Sequence, residues 1–135
     1  MIYNNKMTER LTRYVKDVED YLKKTRHSSN GEILEHLQKK YADVSATTVH
    51  RITTRLVERS KLSLAPVAKG NVMRFDTSSE PHDHFLCSNC DMLRDVNVAD
   101  GIRPILEQSI GDGCSISGNL VITGLCKKCT MELKI

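Results

Sequence analysis

The sequence predicts an α+β chain, with an N-terminal winged helix followed by a small C-terminal α/β domain that a four-cysteine zinc site stabilises. Three stretches with apolar residues at helical spacing precede two short strand-like runs, which is the winged-helix order. Two Cys-x-x-Cys pairs, Cys87/Cys90 and Cys126/Cys129, then bracket a strand–helix–strand pattern.

The first two helices are indicated by apolar spacing and by one capping signal. The first is predicted over residues 8–25, and the second starts at a capping box in which Ser29 and Glu32 can each satisfy the other's backbone amide. The apolar faces of these helices consist of Leu11, Val15, Val18, Leu22, Ile33, Leu34, Leu37 and Tyr41.

The third helix is predicted to begin after Ser45 as N-cap and to run to about Ser60, with Val49, Ile52 and Leu56 pointing inward. The third helix of a winged helix enters the major groove of DNA, so the residues of its outer face and flanks are the predicted DNA contacts. They are Thr47, His50, Arg51, Thr54 and Arg55.

The rest of the chain is predicted to form two hairpin strands, a linker and a second domain. Strands over residues 62–67 and 72–75 are joined by a turn, residues 68–71, that can supply positive φ. Beyond the linker we predict strands over 85–87 and 92–98, a helix over 100–110 and a closing strand over 115–123. The predicted division is a DNA-binding domain over 1–76, a hinge over 77–81 and a second domain over 82–135.

Composition limits the class of protein. The 135 residues are 39% hydrophobic but only 4% aromatic, so each half would have a thin core that needs a metal, a disulfide or a partner subunit. No apolar run approaches a membrane span, and the N-terminus lacks the apolar region of a signal peptide. We therefore expect a cytoplasmic protein without membrane contact, whose cysteines bind metal rather than form disulfides.

Charge is divided unevenly along the chain. Residues 1–76 carry 15 Lys and Arg against 9 Asp and Glu, a net of +6, whereas residues 77–135 carry 5 against 8, a net of −3. A basic first half suits a polyanion, of which nucleic acid is the usual one. A solvated surface of mixed charge is the alternative interpretation.

The cysteine pairs favour structural zinc. Two thiolates at this spacing can face one ion, and Cys87, Cys90, Cys126 and Cys129 together make a closed tetrahedral site of four thiolates. A redox pair is the alternative for a single Cys-x-x-Cys, but two pairs at the ends of one domain favour zinc. Cys114 is left over and is predicted to be a small buried hydrophobe.

A His-x-His motif, His82 and His84, precedes the first cysteine pair. On a strand both side chains would project to one face, as two ligands of one ion require. Two surface histidines are the alternative. A metallohydrolase is disfavoured, because Phe85 and Leu86 follow where the catalytic Asp-His of such enzymes would stand.

From about Leu11 onward the sequence resembles the ferric uptake regulator family. Residues 45–52 resemble its recognition helix, and Arg-Phe-Asp at 74–76 resembles the end of its wing. The motif H-x-H-x-x-C-x-x-C at residues 82–90 is its most specific signature, and G-x-C-x-x-C at 124–129 matches its closing knuckle. The resemblance implies a winged-helix DNA-binding domain and a C-terminal dimerisation domain, and thus a homodimer.

The resemblance also implies a regulatory metal between the two domains. Its ligands would be His27, Asp76, His82, His84 and Asp95, a mixed nitrogen and oxygen set suited to Fe2+, Mn2+ or Zn2+. Aspartate rather than glutamate at the hinge and at the final position resembles the peroxide-responsive branch of the family. Taken alone, His27 could equally be a capping or surface histidine.

Three departures from the family pattern affect these expectations. The family's separate first helix is missing or reduced to residues 1–7, and His50 stands where the family usually has Tyr. A second exchangeable metal site common in the family is expected to be absent, because Pro81, Ile102 and residues 117–119 occupy its ligand positions.

The predicted function is a metal-dependent transcriptional repressor. It would bind a palindromic operator in double-stranded DNA as a homodimer, with structural Zn2+ and a regulatory Fe2+ or Mn2+ (Zn2+ as an alternative) through which it senses peroxide. It is expected to be no enzyme and to take no small-molecule substrate. Two alternatives stay open, an iron- or zinc-responsive uptake repressor of the same family and a zinc-stabilised dimer that no longer binds operator DNA. The missing first helix and His50 motivate the latter, whereas the basic half and Arg51 oppose it.

Overall fold

The structure, a computed structural model, describes residues 3–78 and 80–133, with side chains described from residue 11 onward. These residues form two units, Met1–Ser79 and Glu80–Ile135. Among the described residues no helix is both long enough and apolar enough to cross a membrane.

Unit 1 is a winged helix, as the sequence predicts. It contains helices α1 (Tyr3–Thr25), α2 (Asn30–Gln38) and α3 (Ala46–Glu58). Its strands are β1 (His27–Ser29), β2 (Ser63–Ala68) and β3 (Val72–Asp76), which pair antiparallel in the order β1-β3-β2. The core includes Val18 and Leu22 of α1, Ile33 of α2, Val49 of α3 and Phe75 of β3.

Helix α1 begins earlier than the sequence prediction placed it. Residues 3–7 are continuous with it rather than a remnant of a separate helix, since no Gly or Pro interrupts the chain before Thr8. Its apolar stripe is confirmed towards the C-terminal end, where Val18 and Leu22 are fully buried, whereas Leu11 is 40% exposed.

The capping predictions for the next two helices are confirmed. Ser29 and Glu32 form both hydrogen bonds of the capping box at the start of α2. Ser45 caps α3 by accepting a hydrogen bond from the backbone N–H of Thr48. Each cap satisfies a backbone donor that would otherwise lack a partner at the helix N-terminus.

The wing is the β2–β3 hairpin. Its turn is a short 3-10 segment, Lys69–Asn71, in which Gly70 has φ 75° and Asn71 has φ 61°. Gly and Asn are the residues that tolerate this left-handed conformation best, so the predicted source of positive φ is confirmed.

Unit 2 contains strands β4 (Asp83–Cys87), β5 (Leu93–Val96) and β6 (Val121–Gly124) and helices α4 (Ile102–Ile110) and α5 (Lys127–Leu133). The strand order is β5-β4-β6, with β4 antiparallel to β5 and parallel to β6. The parallel pair requires a long crossover, which α4 supplies.

Three sequence predictions for unit 2 need correction. The closing strand forms only over Val121–Gly124 rather than from residue 115, and α5 was not predicted. Cys114 is exposed rather than buried, because positive φ at Gly111, Asp112 and Gly113 leads the chain into an exposed loop.

Candidate metal centres and recognition helix

The four cysteines of the two Cys-x-x-Cys pairs converge in unit 2. Cys87 ends β4, Cys126 immediately precedes α5 and Cys129 lies within α5. The four Sγ atoms lie within 4.8 Å of one another, and those of Cys90 and Cys126 are 3.8 Å apart. Tetrahedral zinc at the usual Zn–S distance separates its sulfurs by about 3.8 Å, so the spacing fits zinc.

Electrostatics in this cluster favour a cation. Backbone N–H groups of Cys126 and Cys90 donate to Cys87 and lower the pKa of its thiol to about 6. At Cys129 the Asn89 side chain donates to Sγ, but burial and the three neighbouring thiols outweigh it and raise the pKa to about 12. A positive charge among the four sulfur atoms favours the deprotonated thiols, and a divalent zinc ion would supply that charge.

Unit 1 holds one pair of candidate ligands, His27 and Asp76. They face each other in the register of β1 and β3, with His27 Nε2 3.1 Å from Asp76 Oδ2. Asp76 is 1% exposed, and its other oxygen accepts a hydrogen bond from the backbone N–H of Ser78 at 2.8 Å. The carboxylate is thus held in one orientation beside the imidazole.

Unit 2 holds three further candidate ligands. Asp95 lies opposite His84 in the β4–β5 ladder, and its Oδ1 is 3.2 Å from His84 Nε2 and 3.1 Å from His82 Nε2. His82 Nδ1 lies 2.8 Å from the carbonyl oxygen of Glu80. A carbonyl only accepts, so Nδ1 donates, which leaves Nε2 as the nitrogen that would bind a metal, as in a metal-binding histidine oriented by a backbone carbonyl.

Within unit 1 the predicted ligands His27 and Asp76 contact each other, and within unit 2 both predicted histidine ligands contact Asp95. The pair in unit 1 depends on β1, a three-residue strand that the sequence analysis did not predict. The group in unit 2 confirms that His82 and His84 share one face, since both reach the same carboxylate oxygen.

Between the two histidines, Asp83 makes a separate contact that the sequence prediction missed. Its Oδ1 accepts hydrogen bonds from the backbone N–H of Leu120 at 2.8 Å and from Arg103 Nη2 at 2.7 Å. These two donors hold the pKa of Asp83 below its ordinary value. Arg103 also donates to the Gly118 carbonyl at 3.1 Å, so it ties α4 and the loop before β6 to β4.

Replacing Arg103 with Ala is expected to lower the free energy of unfolding by about 2 kcal/mol, because the buried Asp83 carboxylate would lose its charged donor and keep the backbone N–H of Leu120. Arg94→Ala removes the same charge from an exposed position on β5 and should change stability by less than about 0.5 kcal/mol. Urea denaturation of the zinc-loaded proteins measures both. Equal effects of the two substitutions would contradict a structural role for the ion pair.

The predicted DNA contacts all lie on the solvent-exposed side of α3. Val49, Ile52 and Leu56 are buried on its other side. The five exposed residues are Thr47, His50, Arg51, Thr54 and Arg55. Arg59, one turn beyond Arg55, lines the same groove between α1 and α3. Its i+4 spacing from Arg55 was a signal that the sequence prediction did not use.

The sequence profile of the ferric uptake regulator family matches residues 6–117. The chain belongs to this family. Proteins of the family are metal-responsive transcription regulators that bind DNA as dimers, not enzymes. No curated protein matches the sequence.

Solved structures of the family share the fold of this regulator. The ferric uptake regulator of Helicobacter pylori, described as having three functional metal-binding sites, superposes with a TM-score of 0.70 at 20% identity, covering 96% of this chain and 91% of that one. The iron-containing Francisella tularensis regulator gives 0.68 at 21% identity, covering 86% and 90%. The Campylobacter jejuni peroxide stress regulator gives 0.67 at 23% identity, covering 94% and 96%.

Proposed function

We propose that this regulator is a metal-dependent DNA-binding repressor that senses peroxide. Zinc on Cys87, Cys90, Cys126 and Cys129 holds unit 2 together. A second divalent ion takes its donors from both units, which restricts their relative orientation. The proposed ligands are His27, Asp76, His82, His84 and Asp95.

The observation that carries this proposal is the incompleteness of each ligand group. Unit 1 offers one imidazole and one carboxylate, and unit 2 offers two imidazoles around one carboxylate oxygen. Two or three donors are fewer than a divalent transition metal usually takes, so each group can be completed by the other. An ion held this way stabilises one orientation of the units and shifts the population towards it.

The orientation matters for DNA binding because the regulator is expected to bind DNA as a dimer. In the single chain α4 has no buried residue, and Ile105 and Ile110 are more than 60% exposed. Val121 and Ile122 of β6 are exposed too, and such apolar surface is typical of a subunit interface. A homodimer presents two α3 helices, which suits half-sites of a palindromic operator.

Peroxide sensing is proposed from the two aspartates in the ligand set. Hard carboxylates with imidazoles suit Fe2+, which supplies the electrons that activate peroxide when bound. Oxidation of His27 or His82 replaces one ring C–H by C–OH, with one oxygen from H2O2 and the other leaving as water. The altered ring no longer fits the ligand set, so the ion and then the DNA are released.

Mass spectrometry of the iron-loaded dimer after dilute peroxide, with a parallel DNA-binding assay, tests this proposal. We expect a gain of one oxygen at His27 or His82 and loss of DNA binding. The manganese-loaded dimer is the control, because Mn2+ reacts poorly with peroxide, and it should bind DNA and stay unmodified. Unmodified histidines and retained binding in the iron form would instead favour a repressor that responds to metal alone.

Arg51→Ala tests the DNA interface. The Arg51 side chain is exposed on α3, and loss of a base contact is expected to weaken operator binding by about 1–3 kcal/mol and to relax sequence preference. Lys39→Ala removes one positive charge from the end of α2 and serves as the control. Titrations at fixed salt measure both, and normal affinity in Arg51→Ala would remove this residue from the interface.

A further inference from the structure

The side chain of Asn30, the first residue of α2, bridges two residues of α3. Its Oδ1 lies 2.8 Å from the hydroxyl of Thr53, and its Nδ2 lies 3.4 Å from Nδ1 of His50. Thr53 is fully buried, whereas His50 is exposed on the side of α3 that carries the predicted DNA contacts.

The direction of these hydrogen bonds follows from the groups involved. The Thr53 hydroxyl donates to Asn30 Oδ1, its nearest acceptor; the two carbonyls within reach, of Val49 and His50, lie farther away at 3.2 and 3.1 Å. With Oδ1 turned to Thr53, the amide points Nδ2 at His50. Nδ2 carries only hydrogens, so Nδ1 of His50 accepts, and the neutral ring carries its hydrogen on Nε2.

We propose that Asn30 and Thr53 hold His50 in the Nε2–H tautomer, so that α3 presents a hydrogen-bond donor to one base edge in each half-site. This inference rests on the proposed function, since its ligand is operator DNA.

In the major groove guanine offers two acceptors, N7 and O6, whereas cytosine offers only the N4 amino donor. Adenine N7 and thymine O4 accept as well, so a donor on His50 rejects cytosine at its position and is matched best by guanine, which offers two acceptors. Asn30 acts as a positioning residue behind it and sets specificity without touching DNA.

The tautomer is measured without DNA. In the zinc-loaded protein labelled with 15N-histidine, at pH 8 where imidazole is ordinarily neutral, Nδ1 of His50 should show the shift of an unprotonated nitrogen and Nε2 that of a protonated one. The His50→Ala variant assigns the signals. Thr53→Val keeps the side-chain shape but removes the donor, and should mix the two tautomers. A protonated Nδ1 in the unaltered protein would overturn the inference.

The base preference is measured by selecting sequences from random DNA duplexes with the manganese-loaded dimer. Asn30→Asp replaces the donor by a carboxylate, which can only accept, so in the neutral ring, selected at pH 8, Nδ1 of His50 carries the hydrogen and Nε2 becomes an acceptor. Aspartate is favourable in the first turn of α2, so the fold is kept. At one position per half-site the ratio of cytosine to guanine should rise by roughly threefold to tenfold per half-site, the size of a single hydrogen bond.

The double variant Asn30→Asp/His50→Ala separates this effect from the added charge. It should select the same bases as His50→Ala, with no preference at that position, while the charge weakens binding to all sequences alike. An unchanged preference in Asn30→Asp, or the same change without His50, overturns the inference. If the unaltered dimer selects no sequence, the proposed function fails, whereas the tautomer measured by NMR is judged on its own.

Discussion

Replacing Cys126 with Ser is expected to unfold residues 80–135 and to abolish dimerisation. Four thiolates around zinc contribute on the order of 10 kcal/mol of apparent binding free energy, which in so small a unit is folding free energy. The serine keeps the backbone N–H that donates to Cys87 Sγ at 3.4 Å, so the substitution removes little besides one thiolate ligand. Elemental analysis should find the zinc lost, and ultracentrifugation should find a monomer.

Cys114→Ser is the matched control for this prediction. Cys114 is an exposed thiol in the loop before β6, outside the four-cysteine cluster. Its replacement should leave zinc content, dimerisation and the melting temperature unchanged. A dimeric Cys126→Ser protein with the melting temperature of the Cys114→Ser protein would show that the cluster does not stabilise unit 2.

The helices of unit 1 could be predicted because their signals are local. A capping box fits within four residues, Ser29 to Glu32, and the buried face of α3 repeats at the helical period. Neither signal depends on a residue far away in sequence, so the structure confirms both. The N-terminal limit of α1 had no single signal, because Asn4, Asn5 and Thr8 can each cap a helix, and its prediction was wrong by five residues.

Strand β1 could not be predicted, because its signal lies elsewhere in the chain. It has only three residues, and its two serines are buried in spite of being polar. Its existence depends on pairing with β3, 49 residues away at the His27–Asp76 pair. The resemblance to the family placed His27 among the ligands, but only the strand register explains why it faces Asp76.

Sequence patterns also could not predict the side-chain hydrogen bonds that orient residues at these sites. Asp83 was visible within the His-x-His motif, yet its partner Arg103 comes from α4. Asn30 and His50 are joined only by the packing of α2 against α3. Cys114 was predicted to be buried because cysteine usually is. It is exposed instead, since it lies in a loop whose conformation is set by two glycines and Asp112.

Asp95→Asn is expected to uncouple DNA binding from metal. Asp95 Oδ1 lies about equally far from Nε2 of His82 and of His84, at 3.1 and 3.2 Å, so one carboxylate oxygen organises the whole ligand group of unit 2. Asparagine keeps the shape but removes the negative charge. Even residues behind the ligands typically contribute 10- to 100-fold to metal affinity, so the loss of this ligand should weaken Mn2+ binding by about 100-fold or more.

The consequence for DNA follows by population shift. At a Mn2+ concentration that just saturates the unaltered dimer, Asp95→Asn should bind operator as weakly as the metal-free protein does, and about 100-fold more Mn2+ should restore binding. Zinc content and dimerisation should stay unchanged, since the cysteine cluster shares no residue with this group.

Asp112→Asn is the matched control, because it makes the same change in an exposed turn at φ 56°, a conformation that asparagine tolerates. Calorimetric Mn2+ titration and fluorescence anisotropy of labelled DNA give the two affinities. Operator binding by Asp95→Asn at the same Mn2+ concentration as Asp112→Asn would show that Asp95 is no ligand of the regulatory ion.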